Sequence, residues 1–183
     1  MSGLLLRRRA LLMAAAREPE VERLYLLRDG VLQSAAGGVS FFFDQVVAAS
    51  RSQTRYTAGS GIILSMLGSG AKVWPSVRMA IWAPINTDGR KIGIRLVNSG
   101  WTTVGNQGAF LDVSKTWPTK AATTYPRFTA PNSNGSFERI WPISEIQNTG
   151  GGYQPGNNYL SYWIWGYGNT TTYQTLITDL WLE

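Results

Sequence analysis

The chain has 183 residues and a formal net charge of +6, contains neither cysteine nor histidine, and is only 15% charged. These absences exclude a disulfide framework, a thiol nucleophile, a thiolate metal site, and the imidazole base or zinc ligand that much hydrolytic chemistry uses. The twenty glycines, eight tryptophans and eight tyrosines point instead to one all-β domain rich in turns.

Residues 1–20 differ from everything after them. Leucine, alanine and arginine dominate, all good helix formers, and Pro19 supplies a stop. Leu4, Leu5, Leu11, Leu12 and Ala15 share a face at helical spacing, while Arg7, Arg8 and Arg9 fan around the circumference. A secretory leader would place its charges before its apolar run, whereas here three leucines come first. The segment is too short to span a bilayer. It reads as a helical docking segment in which Leu5, Arg7, Arg8, Arg9 and Leu12 meet a partner subunit. The alternative is a helix folded back on its own domain.

From residue 21 the period changes, and residues 21–183 read as a β-sandwich. Residues 24–28 and 31–33 flank Asp29-Gly30, a strong two-residue hairpin signal. Phe41, Phe42 and Phe43 begin an apolar segment, and residues 51–61 look polar and loop-like. Residues 61–67 are apolar on both sides, as in a buried strand. Val77, Met79 and Ile81 alternate with polar or small residues, as do Ile92, Ile94 and Leu96. Further strands are expected at 110–113 and 137–141, with a bend at Gly150, Gly151 and Gly152. Residues 159–165 and 173–183, rich in aromatic and β-branched side chains, are expected to close the chain as an antiparallel pair reversing at Gly168 and Asn169. The expected fold is an antiparallel jelly-roll-like sandwich of about eight strands in two sheets.

No phosphate loop, calcium loop or nucleophile elbow is present, and neither a metal nor a cofactor is expected. Asp112 and Glu138 are the carboxylates that, if they met across a sheet face, would suit a glycan-degrading enzyme; scattered surface carboxylates are the plainer reading. Aromatics are the enriched class. Period-two spacing puts Tyr159, Trp163 and Trp165 on one strand face and Tyr162 on the other. Trp163 and Trp165 either fill a core or interface, or form a platform on which sugar rings stack. With no Lys or Arg between Gly150 and Gln174, a nucleic-acid platform is not expected.

Residues 4–16, 24–30 and 177–183 together resemble small structural proteins of tailed bacteriophages and prophages of Gram-positive gut bacteria. The resemblance implies a virion component of the tail or its appendages, made in the host cytoplasm. It would have other virion subunits and its own copies as partners and, in some cases, would attach to a host-surface glycan. The expected function is therefore non-enzymatic assembly or adhesion, with a carbohydrate-binding module as the alternative. No membrane insertion is expected.

Overall fold

The computed structural model describes residues 21–44, 53–67, 75–102, 106–119, 125–167 and 171–183. The docking segment expected at residues 1–20, with Leu5, Arg7, Arg8, Arg9 and Leu12, lies outside them. No helix among the described residues is long and apolar enough to cross a membrane.

Alternation of apolar and polar residues produces two antiparallel sheets. The first has seven strands: β1 (Leu24–Arg28), β2 (Val31–Leu32), β4 (Gln53–Thr57), β5 (Gly61–Leu67), β8 (Lys91–Ser99), β11 (Gly135–Pro142) and β13 (Thr172–Leu182). The second has six: β3 (Val39–Asp44), β6 (Ser76–Ile81), β7 (Ile85–Asn86), β9 (Asn106–Ser114), β10 (Arg127–Thr129) and β12 (Asn157–Tyr167). In the first sheet β13 is central, with β8 along one side and β5 then β1 along the other. In the second, the order β10-β9-β12-β6-β3 places β12 at the centre.

The sandwich architecture is as expected, but the strand count exceeds eight. The additional strands include β7 and β10, too short for alternation to register, and the polar β4. The last was expected as loop. Among the described strands it pairs only with β5, and such an edge strand needs no apolar face of its own. The Asp29-Gly30 hairpin forms, with φ of 48° and 74° at its two turn residues, the left-handed pair its type requires.

The closing pair is a correction. Strands β12 and β13 do not pair with each other: β12 lies between β9 and β6, and β13 belongs to the opposite sheet. Each finds two neighbours in its own layer, so each buries more surface as a central strand than a two-stranded ribbon would allow. Their inner faces meet across the core, with Tyr162 facing Thr175. The core consists of Leu26, Ile62, Leu64, Ile92, Ile94, Leu96, Ile177 and Leu180 from the first sheet against Val77, Met79, Ile81, Leu111, Leu160 and Ile164 from the second, all fully buried. Each such side chain contributes about 1.5–3 kcal/mol of transfer free energy.

Candidate functional site

The inward set of the second sheet settles its outward set, because successive side chains point to opposite faces. Facing away from the core are Ser40 and Phe42 on β3, Ser76, Arg78 and Ala80 on β6, Phe110, Asp112 and Ser114 on β9, Arg127 and Thr129 on β10, and Tyr159, Ser161, Trp163 and Trp165 on β12. The register places them in rows across the strands. One row runs Arg127, Asp112, Ser161, Ala80, Ser40, and the next runs Thr129, Phe110, Trp163, Arg78, Phe42.

The centre of this face is a buried charge cluster. The Arg78 and Asp112 side chains are fully buried and lie 3.0 Å apart, and Arg127 approaches the other Asp112 oxygen at 3.6 Å. Arg78 Nη1 donates to Ser161 Oγ at 2.9 Å. Neither Asp112 oxygen accepts a well-directed hydrogen bond, so charge more than geometry holds the carboxylate. Burial, the largest influence, raises its pKa to about 6; Arg78, Arg127 and the Trp163 indole pull it back only in part. Burial likewise lowers the Arg78 pKa.

Aromatic rings enclose the cluster. Trp163 has Arg78 5.5 Å and Arg127 5.3 Å from its ring centre and packs against Phe110 at 5.1 Å. Tyr125, on the connection between β9 and β10, has the Arg78 guanidinium 5.1 Å from its ring. From the same connection Trp117 reaches over the face, edge-on to Tyr159 at 5.2 Å and to Phe42 at 5.8 Å. Trp165 lies over Gly108, where an added Cβ would overlap the indole. Phe42, Trp117, Tyr125, Tyr159 and Trp165 are each partly exposed.

Where β9 runs out, this face opens into a cleft of about 190 Å³. Ser114, Lys115, Thr116, Tyr125, Gln154 and the glycines at 150–152 are among its lining residues. Tyr125 thus forms a wall common to the cleft and the charge cluster.

Trp163 and Trp165 thus both lie on the outward face of β12, but the two differ. Trp163 is only 8% exposed and already sandwiched by guanidinium groups, so Trp165 is the more open ring. Asp112 and Glu138 are not brought together: Asp112 is interior to the second sheet's outer face, while Glu138 lies on β11 of the other sheet, hydrogen-bonded by Arg95 at 2.8 Å. Sequence reasoning missed Arg78, Arg127, Trp117, Tyr125 and Phe42 as members of the site. Arg78 alone left a signal, as a lone charge in an otherwise apolar strand.

No known protein family matches the chain, and no curated protein is similar to it in sequence. Among solved structures, the fold is shared with the family 11 carbohydrate-binding module of a cellulosomal cellulase of Clostridium thermocellum, at TM-score 0.54 and 12% identity over 89% of this chain and 95% of that one. A family 11 module from the same organism, in complex with a β-1,3-1,4-mixed-linked tetrasaccharide, gives TM-score 0.54 and 11% identity over 88% and 96%. The glycoside hydrolase domain structure of Endo-D from Streptococcus pneumoniae R6 matches at TM-score 0.50 and 12% identity over 79% of this chain, which spans only 21% of that one. At such identities the likeness establishes the β-sandwich fold.

Proposed function

We propose that this protein binds glycan chains through the outer face of its second sheet. The observation that carries the reading is the row-by-row placement of open aromatic rings beside hydrogen-bonding groups on one sheet face. Sugar rings present apolar C–H faces and a rim of hydroxyls, so a binding surface needs flat rings for the first and fixed polar groups for the second. Trp117, Tyr159, Phe42 and Trp165 supply the rings, and Arg127, Ser114 and Thr129 the polar groups. The buried cluster beneath holds Trp163 and its neighbours in place, since its groups are ion-paired across three strands. The fold shared with carbohydrate-binding modules supports this reading over an assembly role. The virion setting implied by the chain ends would give such a module a cell-surface glycan to meet.

The test is a glycan array followed by affinity electrophoresis on the polysaccharides it selects. Trp117→Ala should weaken binding by about tenfold or more, the equivalent of one lost stacking contact, with the circular dichroism spectrum unchanged. An array without a bound glycan, or a Trp117→Ala protein that binds as the native one does, would overturn the reading.

A further inference from the structure

The charge on this face indicates which glycans it suits. Two guanidinium groups, Arg78 and Arg127, share one carboxylate, Asp112, so the buried cluster has a formal excess of one positive charge when Asp112 is ionised. The corresponding group on the opposite sheet has the reverse balance: Arg95 stands between Glu138 and Asp179. Past Tyr125, the cleft is lined by Lys115 and, among the described residues, by no carboxylate. Lys115 is exposed and has no ion-pair partner among the described residues; its Nζ donates only to the main-chain carbonyl of Asn157, at 3.2 Å. Asp88, on a neighbouring loop, is already engaged by the Gly156 N–H at 2.6 Å and the Tyr153 hydroxyl at 3.2 Å.

We propose, resting on the glycan-binding reading above, that the cleft is a subsite for an anionic sugar residue, its carboxylate or sulfate paired with Lys115 and its ring set against Tyr125. The size of the cleft agrees: 190 Å³ is below the roughly 300 Å³ of pockets that enclose a whole small molecule, so it takes one unit of a longer chain. Ser114, Thr116 and Gln154 line the same space and can bond the hydroxyls of that unit. A charge-assisted bond to a lysine is the strongest single polar contact available there. It weakens with added salt because Lys115 is at the surface.

The full chain is assayed by affinity electrophoresis and calorimetry against neutral mixed-linked β-glucan, polygalacturonate as the carboxylate probe and dextran sulfate as the sulfate probe. Lys115→Gln is compared with Arg139→Gln, which removes the same charge from the exposed edge strand β11. The expected result is that polygalacturonate, dextran sulfate or both bind about tenfold more tightly than the neutral glucan at low salt. Lys115→Gln should abolish that margin, Arg139→Gln should leave it, and high salt should narrow it. The better-bound acidic polymer identifies the anion. Equal binding of neutral and acidic chains overturns the subsite and leaves the glycan-binding face standing. A margin lost equally in both variants reduces it to general charge attraction and also overturns the subsite. Failure to bind any glycan, on the array or here, removes both proposals.

Discussion

The two outer faces of the sandwich each carry arginine–carboxylate contacts and a tryptophan lying over a glycine, yet they are built differently. On the first sheet the Arg95 and Glu138 side chains are nearly half exposed, and Asp179, though buried, accepts the main-chain N–H of Asp29 at 3.0 Å and the Thr178 hydroxyl at 2.9 Å. On the second sheet Arg78 and Asp112 are wholly covered, and Asp112 is held more by the charges of Arg78 and Arg127 than by well-directed hydrogen bonds. Burying an ion pair without full hydrogen bonding costs more desolvation than its attraction returns. A sheet face with that arrangement is not optimised for stability, and it is the face proposed above to meet a glycan.

The contrast can be broken most strongly through pH. The folded chain keeps the Asp112 proton up to about pH 6, whereas the ordinary carboxyl releases it near 3.8. Between those values the folded form binds more protons than the unfolded one. The stability from this group is thus greatest below pH 4, falls as pH rises and is fully lost above pH 6, a change on the order of 3 kcal/mol. Denaturant unfolding from pH 4 to 7 should show this fall in the native protein and not in Asp112→Asn, with Glu138→Gln retaining it. Superimposable pH profiles for native and Asp112→Asn would show that the carboxylate is not held as described.

The two tryptophan–glycine contacts offer a matched pair. A methyl group at Gly93 would overlap the Trp181 ring, which is fully buried and has nowhere to move, so Gly93→Ala should cost about 3 kcal/mol. The same change at Gly108 meets Trp165, which unlike Trp181 is partly exposed, and should cost less, about 1 kcal/mol. It should also disturb glycan binding, which Gly93→Ala should spare in the folded fraction. Equal costs by urea titration would mean that the two rings are equally fixed. The smallest effect is expected at Glu138→Gln, which loses an exposed ion pair and should shift stability by less than about 0.5 kcal/mol; a loss of several kcal/mol would erase the distinction between the faces.

Much of the second sheet could be read from its strands one at a time. The alternation of Val77, Met79 and Ile81 grouped the inner side of β6, and the spacing of Tyr159, Trp163 and Trp165 grouped one side of β12 without telling whether it faced the core or away from it. What alternation cannot report is which strand lies beside which. Arg78 sits between Phe42 and Trp163 only because β6 separates β3 from β12, and Asp112 meets Arg127 only because β10 returns along β9. The separation of β12 from β13 was hidden for the same reason: a short polar link serves equally for a hairpin and for a step from one sheet to the other.

The amino-acid sequence by itself determined the all-β class, the Asp29-Gly30 hairpin, the inward residues of β8, the shared face of β6 and the absence of thiol and imidazole chemistry. These follow from local sterics, from the two-residue period of a pleated strand and from side-chain inventory. Strand order, the rows of rings and charges on the outer face, and the cleft beside Tyr125 were decided by the tertiary structure alone. Each depends on contacts between residues distant in the chain, chosen by which faces could be buried together.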